Sequence, residues 1–600
     1  MRGGPQNRGM PTNLEPDFTL GATRWEQRIA WMALALVLGC AAYDALALHP
    51  GFAAYDEEGV LALAQAWREG GSLSWGFGQG SLHRALVAWC VAALGPGLAS
   101  PRLPALLAVA LEGPLLWLWA APRLGGRAAL WAALALGVSG AALMRARMLA
   151  VPALLPALFL AHAVWLDRLR RPWQHLLFGA SLAVWLLDYD GWMLGVAVLV
   201  PLWLARPRAH RDRARPWVLG LGLGAAALAL GVACFGGAVA AWWRTRAAVS
   251  LGTGGPWSLA VQNGAALLEG GHRLAFAGVE GWPWPAPWTW LLSGLGLAPL
   301  LRRWPTILWL GVVGALPLGL LDTGAEPQRL ALLQVALALA AGVGAARLLA
   351  RSGWRWLPWA LLAFGGAAEF HAFLTRDPAA FHAAYGRSQD EMAAAHWLQD
   401  HAPAQGWDLV DGLGPYDDAV FRLLLDARRV PRQGGQPVVL VHWDYLPGAV
   451  QAGIGSLRAI GAHGDSGVFL GFPGPIQVAR LRALRAQLRP LNQALRHDTP
   501  PAAFQTLSAA WLRAPGHSDP WARTVAWEQW LHASLQDRHV DLGGMRALLA
   551  EPLVSGWAPD VLASELRATD PALAARCSAK AVATDPRRAR WTEVQRIARY

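Results

Sequence analysis

The stretch "RLGGRAALWAALALGVSGAALMRAR" (123–147) joins an arginine-flanked turn, a long apolar run and a second pair of arginines. Its centre, 128–144, carries no charged side chain and as a helix reaches about 26 Å, close to the ~30 Å hydrocarbon core of a bilayer. Similar apolar runs between short arginine-rich breaks recur as far as residue 370. The pattern predicts an α-helical polytopic membrane protein.

Composition and charge support the same class. The chain of 600 residues is 54% hydrophobic and 15% charged, which disfavours a soluble multi-domain protein. The formal net charge of +12 is concentrated in "RLGGR" (123–127), "DRLRR" (167–171), "RPRAHRDRARP" (206–216) and "LRRW" (301–304). Short arginine-rich loops between apolar runs are typical of cytoplasmic membrane loops, so a nucleic-acid partner is not expected.

The number of spans follows from these charges. The candidate runs are 29–48, 84–95, 102–121, 128–144, 149–166, 174–187, 192–205, 217–240, 288–301, 305–321, 329–348 and 354–370. If all of them cross, with the N-terminus inside, every arginine-rich loop lies outside, against the positive-inside rule. The run 84–95 reaches only about 20 Å as a helix, so we expect it at the membrane interface. About eleven spans result, with a cytoplasmic N-terminus and an extracytoplasmic C-terminus.

The domain organisation follows from the same count. Residues 1–28 form a cytoplasmic tail, and 29–370 form the membrane domain, with outer loops at 49–101 and 241–287. After about 370 no run is long enough to span. We predict a small soluble α/β domain at 371–475, with strands at 407–413, 437–443 and 467–472, and a helical region at 476–600.

The predicted topology places most acidic groups of the membrane domain on the outer side. "YDEE" (55–58) opens the first outer loop, and an apolar stripe in 57–69 predicts an amphipathic helix behind it. The turns "LLDYDGW" (186–192) and "LDTGAEPQR" (321–329) lie on the same side. We expect this to be the working face.

The order of these motifs resembles the GT-C class of membrane glycosyltransferases, in particular the branch of protein O-mannosyltransferases and bacterial aminoarabinose or mannosyl transferases. The resemblance covers roughly 25–370. It rests on "YDEE", on "SPRLPALLAVA" (100–110), on the quoted run continued to 150, and on "EPQRLALLQVALALAAG" (326–342). It implies a polyprenyl-phosphate-linked sugar donor, a lipid, glycan or protein acceptor, and Asp56 as the catalytic base.

The chain departs from that pattern at three places. Where aminoarabinose-type members carry Lys-Pro-Pro, this chain reads "GSLHRAL" (80–86), so His83 or Arg84 would replace the lysine. Pro152 stands where many relatives place Tyr or Asp. The turn that often reads Thr-Lys-Gly-Pro is "LDYDGW" (187–192) here. These departures indicate a divergent subfamily.

The candidate site residues each have a second interpretation. Asp56 could accept the acceptor's proton while Glu57 orients the acceptor, or the two carboxylates could cap and stabilise the first turn of the helix at 57–69. Five cationic side chains could bind the donor phosphate or anchor ordinary lipid headgroups; they are Arg147, Arg329, Arg145, Arg84 and His83. Asp188 and Asp190 could hold Mg²⁺ or Mn²⁺, or only end a helix.

Three functions remain open. The first is a glycosyltransferase of a bacterial-type inner membrane, acting on its outer face by inverting single displacement. The second is a transporter of a lipid-linked glycan, which would require charges buried in the membrane and broken helices. The third is a non-catalytic envelope assembly protein on the same scaffold. We expect charges to gather at helix ends, which favours the glycosyltransferase.

Overall fold

The computed structural model describes most of the membrane region and the C-terminal region. The described residues are 22–43, 81–95, 99–147, 151–188, 193–205, 255–269, 283–321, 327–375, 401–410, 435–442, 456–460, 468–496, 501–536, 542–567 and 570–585, with scattered positions in 220–234, 394–400, 413 and 449–454. Every structural statement below refers to these residues.

The membrane region is a helical bundle. Its helices are α1 (Arg24–Tyr43), α2 (Ser81–Leu94), α3 (Ala99–Leu124), α4 (Gly126–Gly137), α5 (Gly140–Arg147), α6 (Leu155–Arg168), α7 (Pro172–Asp188), α8 (Met193–Ala205), α9 (Pro256–Glu269), α10 (Pro287–Arg303), α11 (Ile307–Leu320), α12 (Ala331–Ala350), α13 (Leu357–Ala360) and α14 (Gly366–Thr375). Short 3₁₀ turns occupy Val151–Leu154, Pro327–Leu330 and Ser352–Trp354, and a π-helical segment, Leu361–Gly365, joins α13 to α14.

Two described helices are long and apolar enough to cross a membrane, 100–124 and 331–350. The pair α4 and α5 makes a third if it counts as one broken span. Helices α2, α8 and α11 are apolar but shorter. The chain therefore has the helices of a membrane protein, and the number of eleven spans stays a prediction.

Helix α12 lies at the centre of the bundle because glycines allow close approach. A Cβ at Gly342 would lie 2.3 Å from the carbonyl oxygen of Ala128 in α4. A Cβ at Gly344 would lie 2.0 Å from the carbonyl oxygen of Leu292 in α10. Small residues at such contacts let helix backbones pack closely, which is how membrane helices gain contact in the absence of a hydrophobic driving force.

The run 128–144, expected to be one helix, is broken. Helices α4 and α5 meet at Val138 and Ser139 with a bend of 59°. The Ser139 hydroxyl accepts from the amide of Ala142 at 3.2 Å and donates to the carbonyl of Leu136 at 2.7 Å. These bonds satisfy backbone groups that the bend frees, so a polar break persists inside an apolar bundle.

Three of the four arginine-rich loops contact one another, and the fourth, "RPRAHRDRARP" (206–216), lies outside the described residues. The Arg123 guanidinium donates to both carboxylate oxygens of Asp167 at 2.6 Å. Arg303 donates to the carbonyl of Arg123 at 2.7 Å. The guanidinium carbon of Arg123 also lies 4.7 Å from the ring centre of Trp304. Arg127 contacts Glu26 at the start of α1. Loops "RLGGR", "DRLRR" and "LRRW" therefore lie together at one end of the bundle.

The C-terminal region begins with a mixed sheet. Strands β1 (Trp407–Leu409), β2 (Gln436–His442), β3 (Leu457–Ile460) and β4 (Val468–Gly471) lie in the order β1-β2-β4-β3. The pair β1 and β2 is parallel, and β4 runs antiparallel to both of its neighbours. Three strands overlap the predicted ones, whereas β3, only four residues long, was not expected.

Six helices follow the sheet. They are α15 (Pro475–Arg496), α16 (Pro501–Arg513), α17 (Pro520–Gln536), α18 (Leu542–Ala550), α19 (Trp557–Leu566) and α20 (Pro571–Thr584). Val439 and Val441 of β2 share a hydrophobic core with Leu488 of α15 and Trp527 of α17. Because one core joins sheet and helices, the two predicted parts pack as neighbours across residue 475.

A bidentate hydrogen bond to Glu551 raises the pKa of Arg523 at this helical core.

Candidate functional site

Three predicted site residues lie outside the described residues. They are Asp56 and Glu57 of the first outer loop and Asp190 of the turn after α7. The amphipathic helix predicted at 57–69 lies outside them too. The other six candidates have described backbones, and they fall into two groups on different elements.

The first group lies where α5 ends. Arg147 is the last residue of α5, and Arg329 lies in the turn Pro327–Leu330 that leads into α12. Helix α5 packs against this turn, and so does the turn Val151–Leu154. Ala141 of α5 and Leu330 also share a small apolar cluster with Trp284. The fold thus brings the two arginine positions to neighbouring elements, although 182 residues separate them in the sequence.

Arg145 belongs to the same helix but is buried inside the bundle. Its guanidinium donates to both carboxylate oxygens of Glu112 in α3, at 3.2 and 2.6 Å, and to Oε1 of Gln334 in α12 at 2.6 Å. The amide of Gln334 in turn donates to the hydroxyl of Ser139 at 2.5 Å. This position differs from the expected one at an exposed helix end, because a bidentate carboxylate offsets the cost of burying the guanidinium.

Glu112 also overturns the expectation that charges gather at helix ends. It lies near the middle of α3, and neither it nor Arg145 is exposed to solvent or lipid. A charged pair between membrane helices is retained only where each charge has a partner. The pair joins α3 to α5, and Gln334 adds α12 to the same network.

A second buried acid, Glu369 of α14, holds the other side of the α4–α5 break. Its Oε1 accepts from the amide of Gly140 at 2.5 Å, and its Oε2 accepts from the indole nitrogen of Trp288 in α10 at 3.3 Å. A carboxylate at the first amide of a helix satisfies a free donor and favours the positive end of the helix dipole. Three elements therefore meet at this carboxylate.

The second group of candidates lies around the start of α2. His83 is fully buried and Arg84 half-buried in its first turn. Asp188, at the end of α7, accepts from the amide of Leu82 at 3.0 Å. The aspartate therefore caps α2 and ties the end of the first outer loop to the turn "LLDYDGW". Both imidazole nitrogens of His83 lack a hydrogen-bond partner in the described part of the chain.

The structure describes only one aspartate of the predicted cation site, Asp188, so this site stays a prediction. The Oδ1 of Asp188 accepts from the α2 amide, and its Oδ2 is buried with no hydrogen-bond partner among the described residues. No group of three or more His, Cys, Asp or Glu side chains suited to a metal lies among the described residues.

Sequence reasoning missed Glu112, Gln334, Glu369 and Trp288. A signal existed for the two acids, since Glu112 interrupts the apolar run 102–121 and Glu369 ends the run 354–370. An ionisable residue inside an apolar run indicates a buried partner. No local pattern identifies Gln334 or Trp288 as that partner.

An apolar groove opens beside this network. It lies between α1, α3 and the α4–α5 break, and its lining includes Trp31, Leu38, Val109 and Leu143. Gly113 and Gly137 form part of its wall. Because its lining is apolar, the groove suits a lipid chain better than a polar ligand.

Comparison with known proteins gives structural likenesses only. No family model matches the chain, and no curated protein matches it either. The crystal structure of ArnT from Cupriavidus metallidurans bound to undecaprenyl phosphate is similar at 13% identity and a TM-score of 0.47, covering 75% of this chain and 99% of that one. The archaeal oligosaccharyltransferase AglB from Archaeoglobus fulgidus, in complex with an inhibitory peptide and a dolichol-phosphate, is similar at 11% identity and a TM-score of 0.37, covering 68% and 61%.

Both solved proteins are glycosyltransferases of the GT-C class, which is the class that the sequence motifs resemble. At these identities and TM-scores we take nothing about activity from the likeness. The proposals below are built on the contacts of this chain.

Proposed function

We propose that this chain is an integral-membrane glycosyltransferase that moves a sugar from a polyprenyl-phosphate-linked donor to an extracytoplasmic acceptor. The observation that carries the proposal is the packing of α5 against the turn Pro327–Leu330, which brings Arg147 and Arg329 to neighbouring elements. Two guanidinium groups suit a phosphate because each offers paired N–H donors in a fixed plane. Arg145, held by Glu112, orients this helix in the proposal and does not touch the phosphate.

The chemistry of such a donor needs a base and cations. Polyprenyl phosphate is a stable anionic leaving group, so its oxygen needs little acid catalysis. Arg147 and Arg329 stabilise the negative charge that grows on the phosphate as the bond to the anomeric carbon breaks. Asp56 takes the proton of the acceptor hydroxyl as this oxygen attacks from the opposite face, with inversion, and Glu57 orients the acceptor.

Two further contacts serve the donor in this proposal. The polyprenyl chain occupies the apolar groove between α1, α3 and the α4–α5 break, which lies next to α5. Arg84, fixed by the contact of α2 with Asp188, supplies positive charge at the end of the first outer loop, and the buried His83 lies beside it in the first turn of the same helix. The same contact gives the loop a defined position against α7.

We propose the predicted topology of eleven spans in a bacterial-type inner membrane, with the N-terminus in the cytoplasm. It is supported by the contacts among Arg123, Asp167, Arg303 and Trp304 at one end of the bundle. Elements predicted to lie outside also meet one another. Asp188 contacts the start of α2, and Asn263 of α9 donates to the carbonyls of Leu318 and Leu321.

Mass spectrometry of envelope glycans and lipids, compared between cells with and without the protein, tests the function. We expect one sugar modification to disappear with the protein and to return with the wild-type chain. Cells that make the Asp56→Asn variant should resemble cells without the protein, with at least a hundredfold less product, because the amide cannot take the proton. Full product with Asp56→Asn, at equal protein levels, would contradict the assignment of the base.

A transporter for a lipid-linked glycan is the second candidate, and two observations favour it. Glu112 and Arg145 are charges inside the bundle, and α4–α5 is a broken helix. Both features occur in transporters around a substrate site. A labelled lipid-linked sugar that changes leaflet without losing its sugar in reconstituted vesicles would support this function, whereas release of polyprenyl phosphate supports transfer.

A further inference from the structure

Helix α5 is short, and hydrogen bonds to other helices fix it near both of its ends. It has eight residues and follows a bend of 59°. At its first residue, the Gly140 amide donates to Glu369. Near its last residue, Arg145 is bound to Glu112 and Gln334. Arg147 lies two residues beyond Arg145, so the direction of α5 decides where the backbone of Arg147 lies.

The contact at Glu369 is built tightly. A Cβ at Gly140 would lie 3.0 Å from Oε1 of Glu369, so the carboxylate sits directly against the helix start. Gly365, in the π-helical segment before α14, leaves room for the ring of Trp288, because a Cβ there would lie 2.6 Å from that ring. Trp288 can then donate to Oε2. The carboxylate of Glu369, a residue of α14, is thus hydrogen-bonded to both α5 and α10.

The Glu369 carboxylate joins α14 to α5 and α10 inside the bundle. It is 4% exposed, and burying a carboxylate costs free energy that its hydrogen bonds only partly offset. An uncharged residue with apolar contacts would pack these helices at lower cost. The two groups it binds are the start of α5 and the indole that fixes its own rotamer.

We propose that Glu369 is a positioning residue of the donor site, acting through α5 on Arg147. The inference rests on the proposed role of Arg147 in binding the donor phosphate. Glu369 fixes the start of α5, the Glu112–Arg145 pair fixes its end, and together they set the direction in which Arg147 is presented. Glu369 itself touches neither the donor nor the acceptor.

The test measures binding of two probes to the full-length protein in detergent micelles: a polyprenyl phosphate and the neutral polyprenol of the same chain length. The variant is Glu369→Gln. The glutamine keeps one oxygen that can accept from the Gly140 amide, but its NH₂ group faces the indole N–H of Trp288, so two donors meet and that hydrogen bond is lost. We expect the Kd for the phosphate to rise about tenfold, and the Kd for the polyprenol to stay within about twofold, since a charge-assisted contact of Arg147 is weakened. A general loosening of the bundle would weaken both probes.

A double-mutant cycle with Arg147→Ala completes the test. If Glu369 acts through Arg147, Glu369→Gln adds less than twofold to the Kd for the phosphate once Arg147 is alanine. Glu26→Gln is the matched control, because Glu26 is a buried carboxylate that binds Arg127 at the opposite end of the bundle. We expect no change in either Kd for that variant.

The outcomes separate the two proposals. An Arg147→Ala variant that binds the phosphate as the wild type does would overturn the proposed donor site itself. A large effect of Arg147→Ala together with no effect of Glu369→Gln, or with fully multiplicative effects in the double variant, would overturn the positioning role alone. Equal weakening of phosphate and polyprenol by Glu369→Gln would overturn it as well.

Discussion

Two bidentate arginine–carboxylate pairs lie in the same bundle and have opposite surroundings. Arg123 and Asp167 are 28% and 20% exposed and join loop ends at the arginine-rich end of the bundle. Arg145 and Glu112 are 1% and 0% exposed and lie among helices α3, α5 and α12. The ion-pair contacts are of equal length, 2.6 Å in both.

The difference shows what each pair does for the fold. The partly exposed pair can exchange its partner for water, and Arg123 also has the ring of Trp304 and the carbonyl of Trp119. The buried pair has no such alternative, so its geometry is fixed by the two side chains and by Gln334. A pair in contact with water joins loops at low cost, whereas a buried pair fixes the position of a helix.

The largest effect on stability is expected at Glu112. Glu112→Ala leaves the Arg145 guanidinium buried with only Gln334, and we expect a loss of about 3–5 kcal/mol in the free energy of unfolding. Thermal unfolding in detergent, followed by tryptophan fluorescence, measures it. The double variant Glu112→Met with Arg145→Met should regain most of the loss. A double variant as unstable as Glu112→Ala would show that the pair itself is not the cause.

The smallest effect is expected at the other pair. Asp167→Asn keeps one hydrogen-bond acceptor for Arg123 and removes a charge that is in contact with water, so we expect a change of about 0–1 kcal/mol in the free energy of unfolding. The same thermal unfolding experiment checks it, and binding of a polyprenyl phosphate should stay unchanged. A loss as large as that of Glu112→Ala would mean that exposure does not separate the two pairs.

The sequence predicted the arrangement of the loops better than the interior of the bundle. Arginine counting placed "RLGGR", "DRLRR", "RPRAHRDRARP" and "LRRW" on one side of the membrane. Among the described residues, the first, second and fourth of these loops contact one another through Arg123, Asp167 and Arg303, and the side on which they lie stays a prediction. The short helix at 84–95 was expected and is found as α2, 14 residues long. Charge and length are local properties, so a sequence shows them directly.

The interior contacts depend on residues far apart in the chain. Arg145 meets Glu112 across 33 residues and Gln334 across 189, while Gly140 meets Glu369 across 229. The break at Ser139 is equally hidden, because 128–144 carries no charged side chain and predicts a continuous helix. Arg145 lies near the end of a helix, as expected, but it is buried, because it pairs with Glu112 and Gln334 on helices that are distant in the sequence.

The central claim is that Arg147 and Arg329 together bind the phosphate of a lipid-linked donor. The most direct test is the Kd of the full-length protein for a polyprenyl phosphate, compared between the wild type and the double variant Arg147→Ala, Arg329→Ala. We expect a rise of about a hundredfold or more, since two charge-assisted contacts are lost, with the Kd for the neutral polyprenol within about twofold. An unchanged Kd for the phosphate in a folded double variant would contradict the claim.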